Sequence, residues 1–296
     1  MSQKTAIQWT DVTDNIIVVK GGGWWCRKIS PGCANCYAAD LNQNVFYKGN
    51  RLPYSGEAPE LVLRREIIEA WAKQRKPKKH FVASMTDVFG EWVNIEWQFE
   101  MLDGMAAARD QVFQVLTKRA EHMKEVVGLW LLRREFRRVP ANIWMGVSVE
   151  DNARRTRIGH LRAIPCVRFI SFEPLLEDLP NLSLGGRDGI DWVIVGGESG
   201  DRARGCNMEW IRTIIQSCTQ QGIACFVKQL GAKAFEATNS DFVDWPTGTV
   251  FSCPDEGIDG EGPTYPKLKH PKGGDINEWP QELKVREFPK FSKEVA

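Results

Sequence analysis

An excess of charge of either sign is missing from this 296-residue chain, in which 39 Lys and Arg stand against 38 Asp and Glu, a net charge of +1. So balanced a chain exerts no general pull on nucleic acid or on an anionic membrane, and any polyanion site must be local. Long apolar runs are missing as well. None approaches the roughly 18 residues of a spanning helix, and the N-terminus has no apolar h-region, which predicts a cytoplasmic protein with no membrane partner. Histidine is scarce, with four residues, whereas eight cysteines are present. Three of the cysteines crowd into one short stretch, so they read as reduced thiols with a cofactor rather than as a disulfide framework.

That stretch is Trp24-Trp25-Cys26-Arg27-Lys28-Ile29-Ser30-Pro31-Gly32-Cys33-Ala34-Asn35-Cys36-Tyr37-Ala38-Ala39, with the spacing C-x6-C-x2-C. Pro31-Gly32 lets the loop fold back so that Cys26, Cys33 and Cys36 can converge. Ser, Pro, Gly and Asn fill the segment, which argues against a core strand. Three thiolates leave one position open on a catalytic metal or on one iron of a [4Fe–4S] cluster. A structural zinc site is the alternative, with a fourth ligand from His80, His122, His160, His270 or another cysteine. The pattern from Tyr37 to about Gln43 is helical, which puts Cys36 at a helix N-terminus that favours thiolate.

Taken in order, Ile16–Val19 reads as a strand leading into the loop. Leu61–Gln74 reads as an amphipathic helix that ends in Arg75-Lys76-Pro77-Lys78-Lys79. This basic run and Arg133-Arg134-Glu135-Phe136-Arg137-Arg138 are the two places to look for phosphate contacts. Short apolar runs then alternate with helical stretches. The predicted strands are His80–Met85, Val112–Leu116, Asn142–Ser148, Val167–Ser171, Asp191–Val195 and Ala224–Lys228, with helices at about 95–110, 119–133, 152–163 and 208–221. Parallel strands joined by helices make an open doubly wound sheet or a full or partial barrel. About six βα units suit an α/β fold with a parallel partial (β/α) barrel over residues 1–231 and an irregular C-terminal extension, a cap or tail, over 232–296. Every predicted strand ends in polar groups, as an active site at the carboxyl ends would require. Cys166 and Cys218 read as core, while Cys225 and Cys253 carry no assignment.

The C-x6-C-x2-C-Tyr-Ala loop resembles the cluster loop of radical S-adenosylmethionine enzymes, although C-x3-C-x2-C is the commonest spacing there. To about residue 231 the chain is similar to a phage and prophage family of such radical-enzyme-like proteins without an assigned reaction. The similarity lies in Ile7-Gln8-Trp9-Thr10-Asp11, the loop itself, Ser84-Met85-Thr86-Asp87-Val88-Phe89, Val115-Leu116-Thr117-Lys118-Arg119, Gly146–Asp151, Phe172-Glu173-Pro174-Leu175, Gly196-Gly197-Glu198-Ser199-Gly200 and Lys228-Gln229. The resemblance implies a [4Fe–4S] cluster on the three cysteines, S-adenosylmethionine as second cofactor, and reductive formation of a 5′-deoxyadenosyl radical. An electron donor such as a flavodoxin or ferredoxin and a nucleotide or DNA base as substrate are the implied partners, in the host cytoplasm if the gene is a phage's. In such enzymes a Gly-Gly-Glu segment after the second strand binds the methionine amino group; here Gly196, Gly197 and Glu198 follow a later strand and equally suit substrate. Asp87 or the Ser84 hydroxyl is expected in that place, with Lys118 and Arg119 on the methionine carboxylate or a phosphate and Glu150 on the ribose. Cys206 is the candidate hydrogen donor to a substrate radical, and Glu173 with Lys228 reads as a structural ion pair. The rival readings are a zinc-containing nucleic-acid or protein-binding module, and a divalent-metal hydrolase or nuclease built on Asp87, Glu150, Glu173 and Glu198.

Overall fold

The computed structural model describes residues 3–44, 46, 49–237, 250–252 and 264–290. These form two compact units.

The first unit comprises residues 3–148 and 156–169. In it β1 (Gln3–Lys4) pairs antiparallel with β2 (Val12–Asp14), and β3 (Ile17–Val19) leads into the cysteine loop and α1 (Tyr37–Gln43). β4 (Leu61–Leu63) returns antiparallel to β3 and runs into α2 (Arg65–Trp71). The helix expected over Leu61–Gln74 is therefore shorter, because its first three residues pair with Ile17–Val19 instead of coiling. β5 (Lys79–Val82), α3 (Ile95–Ala107), β6 (Val112–Thr117), α4 (Ala120–Arg133), β7 (Ile143–Ser148) and α5 (Thr156–Arg162) follow. β2, β5, β6 and β7 are parallel neighbours in that order. Asn94 caps α3, its Oδ1 accepting from the Glu96 amide at 2.8 Å, and the helix buries Met101, Leu102 and Met105.

Two departures from the expected strands bear on the site. Val12–Asp14 is a sheet strand although it ends in a carboxylate; Asp14 is buried because His80 Nδ1 (2.6 Å) and Trp71 Nε1 (2.8 Å) both donate to its Oδ2. β5 ends at Val82 rather than Met85, because Ala83 adopts φ +58° and turns the chain.

The second unit comprises Val149–Arg155 and Ile170–Lys290. β8 (Val167–Phe172) runs from the first unit into the second. It is followed by β9 (Trp192–Gly196), β10 (Cys206–Asn207), α6 (Met208–Gln221) and β11 (Ala224–Gln229). β9 and β11 are parallel, and α6 stops at Gly222, whose φ of +67° suits a residue without Cβ. β12 (Ala234–Phe235) pairs with β10, and β13 (Val250–Ser252) with β14 (Thr264–Pro266). The remaining described residues of the C-terminal extension are irregular apart from two 3-10 turns, Ile276–Glu278 and Gln281–Leu283. They bury Trp279 and Leu283 and lay Val285–Glu287 along β11: the Val227 amide donates to the Val285 carbonyl and the Glu287 amide to the Cys225 carbonyl, both at 2.8 Å.

The main sheet has eight strands in the order β1-β2-β5-β6-β7-β8-β9-β11, mostly parallel, so the fold is α/β. Sequential order along a parallel sheet is what repeated strand-helix units produce. Among the described residues no helix is long and apolar enough to cross a membrane. Cys253 lies outside the described residues.

Candidate functional site

In the first unit the cysteine loop is bound to the chain just past β5. Thr86 Oγ1 donates to the Trp25 carbonyl (2.5 Å), the Tyr54 hydroxyl to the Met85 carbonyl (2.7 Å) and the Tyr37 hydroxyl to the Ser84 carbonyl (2.9 Å). Before the loop, Gly23 has φ +72°, and a Cβ there would lie 2.5 Å from the Asn50 nitrogen, so the chain can enter only through glycine. Asn42 Oδ1 accepts from the Trp24 amide (3.0 Å), and Asn50 Nδ2 donates to the Trp24 carbonyl (3.2 Å). Inside the loop Lys28 Nζ donates to the Ala34 carbonyl at 2.9 Å, which brackets the turn Pro31–Cys33.

The three thiols are half-buried. Cys26 and Cys36 pack with Trp24 on an apolar cluster of Ala38, Ala39, Tyr54 and Met85. Cys36 is the N-cap residue of α1, and Cys33 Sγ sits 3.8 Å from Ser30 Oγ. Burial, then the charge of Asp87, pushes the Cys26 thiol up to about 12 against the smaller opposing pull of Arg119. Burial and the neighbouring Cys36 and Cys26 likewise push the Tyr54 hydroxyl upward. Among the described residues no three His, Cys, Asp or Glu side chains form, as they stand, a group that could hold a metal ion.

Asp87 and Arg119, expected as ligand contacts, are engaged with each other and with the loop. Asp87 Oδ1 accepts from Thr117 Oγ1 (2.7 Å) and the Phe89 amide (3.1 Å), and Oδ2 from the Lys118 amide (3.1 Å) and Arg119 Nη1 (3.2 Å). Arg119 also donates to Glu91 (3.1 Å) and to the Arg27 carbonyl (2.9 Å), and its guanidinium lies 4.3 Å from the Trp92 ring centroid. Burial opposes this cation, but Asp87, with help from Cys26 and Glu91, outweighs it and holds its pKa above the usual value. The Ser84 hydroxyl donates to Asn15 Oδ1 at 3.4 Å. The Lys118 side chain is half-buried and makes no hydrogen bond or ion pair among the described residues.

The second unit holds the other predicted residues. Glu198 Oε2 accepts from the Arg204 amide and Nε, both at 2.9 Å, and Oε1 from its Nη2 at 2.6 Å, which closes the loop between them. This bidentate bond, against the cost of burial, raises the Arg204 pKa, with a further contribution from Glu150, itself fully buried. Close approach by other parts of the chain accounts for the glycine pair. A Cβ on Gly196 would lie 2.8 Å from Glu173 Oε1, and one on Gly197 would run into the Leu230 carbonyl. Glu173 and Lys228 form the expected ion pair at 3.1 Å. Cys206 is fully buried, and burial pushes its thiol up to about 12, so it keeps its S–H proton.

Residues 4–267 match the model of a family described as a protein of unknown function, DUF5131. The chain belongs to this family. No curated protein and no solved structure matches it. In this DUF5131 protein, sequence reasoning missed Tyr54 and Trp92 as parts of the loop's surroundings; Trp24, Arg27 and Thr117 lie in stretches it had singled out, but their contacts were not legible there. The aromatic-rich flanks Trp24-Trp25 and Trp92 were the available signal, since indoles beside a thiol loop are able both to wall it and to donate N–H groups.

Proposed function

We propose that this DUF5131 protein is a radical S-adenosylmethionine enzyme whose sheet is a partial (β/α) barrel, with a [4Fe–4S] cluster on Cys26, Cys33 and Cys36. The observation that carries the reading is the fastening of a three-thiol loop to the carboxyl end of a parallel strand, β5, where α/β proteins build their sites. The donor chemistry fits a cluster: three free thiols on one loop would give one thiolate to each of three irons and leave the fourth iron open. When bound, the cluster supplies one electron that cleaves S-adenosylmethionine to methionine and a 5′-deoxyadenosyl radical able to abstract a substrate hydrogen.

This chain's residues hold and shield that chemistry. Arg119, gripped by Asp87, holds the loop through the Arg27 carbonyl, so both act as positioning residues. Lys118 offers an uncommitted cation for a carboxylate or phosphate of cofactor or substrate. Trp24, Tyr54 and Met85 make one side of the surroundings of the half-buried Cys26 and Cys36 apolar. A nucleotide or DNA base as substrate and a flavodoxin- or ferredoxin-like donor complete the proposal.

Anaerobic purification with iron, sulfide and zinc quantified tests it, together with electron paramagnetic resonance of the reduced protein with and without S-adenosylmethionine. About four irons per chain, a signal altered by the cofactor and lost in Cys33→Ala, and 5′-deoxyadenosine formed under reduction are expected. Stoichiometric zinc, or a cluster indifferent to S-adenosylmethionine, refutes the reading.

A further inference from the structure

The indole N–H groups of five tryptophans among the described residues have acceptors within the chain. Trp71 donates to Asp14, Trp130 to Asp103, Trp144 to the Ala141 carbonyl, Trp192 to the Glu287 carbonyl and Trp279 to the Gly273 carbonyl. Trp24 differs. Its Nε1 is buried and has no hydrogen-bond partner among the described residues. The partly buried ring packs on the same apolar cluster as Cys26 and Cys36, and the Asn42 and Asn50 side chains fix the backbone on both sides of it. A buried donor without an acceptor is disfavoured, and in native proteins it calls for a missing partner or a redox role. Trp92 Nε1 is in the same condition, but its ring meets Trp25 edge-on and lies under Arg119 rather than in the cluster around the thiols.

The side chains that share this cluster with Trp24 include two of the three loop thiols, Cys26 and Cys36, while the Tyr54 hydroxyl is committed to the Met85 carbonyl. Hydrogen bonds to the sulfurs of an iron–sulfur cluster stabilise its reduced, more negative state and so raise its potential. We propose that the Trp24 indole N–H donates to a sulfur of the cluster that Cys26, Cys33 and Cys36 hold, and so sets the potential at which that cluster accepts its electron. This rests on the functional reading above.

The test uses the full chain, reconstituted anaerobically, with the midpoint potential read by a redox titration followed by electron paramagnetic resonance. Trp24→Phe removes the N–H and some ring volume. A second variant carries benzothienylalanine at position 24, in which sulfur replaces only the N–H group, so it decides the question if Trp24→Phe fails to assemble. Iron content equal to wild type and a more negative midpoint in the isosteric variant are expected. An unchanged or higher midpoint at full iron content overturns the role of Trp24 and leaves the functional reading standing, as does a shift confined to Trp24→Phe. Absence of a cluster from the wild-type protein overturns both.

Discussion

Replacing Arg119 by Met is the sharpest test of how the cysteine loop is held. The side chains of Arg119 and Asp87 are only 3% and 9% exposed, so their ion pair is buried. Removing one partner of such a pair costs about 3–5 kcal/mol. Asp87 keeps three donors, Thr117 Oγ1 and the Phe89 and Lys118 amides, which places the loss near the lower bound of about 3 kcal/mol. The bond to the Arg27 carbonyl adds about 1.5 kcal/mol and the Trp92 face about 1 kcal/mol. Glu91 adds little, because its side chain is 55% exposed. These losses overlap, so Arg119→Met should cost about 3–5 kcal/mol in urea unfolding, a large part of a typical domain's stability. Asp87→Ala should cost a similar amount, and the double variant less than the sum by about 1–3 kcal/mol. Hydrogen exchange at residues 24–30 should quicken in both single variants. A cost below about 1 kcal/mol, or strictly additive losses, would refute the clamp.

Three further outcomes are expected. The Cys206 thiol, raised by burial from 9.0 to about 12, stays protonated in the folded chain while the unfolded chain ionises near 9. Its contribution is thus complete below pH 9 and lost as pH rises towards 12; the urea midpoint of wild type should fall between about pH 9 and about pH 12, and fall less in Cys206→Ala. Gly197→Ala should destabilise by about 1–3 kcal/mol through the Leu230 carbonyl, whereas Gly128→Ala, on α4 with open space around it, should stabilise by up to about 1 kcal/mol; equal effects in thermal melts would contradict the packing described. Asp14→Ala strands the donors of His80 and Trp71 in the core and should cost about 3 kcal/mol, and a loss under about 1 kcal/mol would show that network to be dispensable.

The parallel strands were legible because each is a short apolar run closed by polar residues, and β6 to β9 and β11 lie within a residue or two of where those runs place them. β2 was not legible, since a strand ending in Asp14 breaks apolar patterning, and only its partners on α2 and β5 explain the burial. Leu61–Leu63 was misread because its apolar run continues the period of α2, and only the tertiary pairing with β3 distinguishes the two. Candidate residues could be picked out by type and by their place after strands, but not their commitments. Asp87 and Arg119 are adjacent to each other only through the fold, whereas Glu198 and Arg204 are close in sequence and their pairing is local. The glycine pair at 196–197 suggested an approach by a ligand, whereas the groups that crowd it in the structure are the chain's own, the Glu173 carboxylate at Gly196 and the Leu230 carbonyl at Gly197.

The Val285–Glu287 segment also bears on how this chain is best handled. β11 is the last strand of the main sheet, and this segment runs antiparallel beside it, bridging Phe226 to Arg286. Arg286 fastens it further, its guanidinium 5.5 Å from the Phe226 ring and 5.1 Å from that of Trp279. A shortened chain that stops before Val285 would bare the Cys225 carbonyl and the Val227 amide along an apolar border, a template for strands from neighbouring molecules. Domain trimming at the end of β11 therefore invites self-association in expression, and fusion partners or affinity tags belong beyond Glu287, where that border stays sealed.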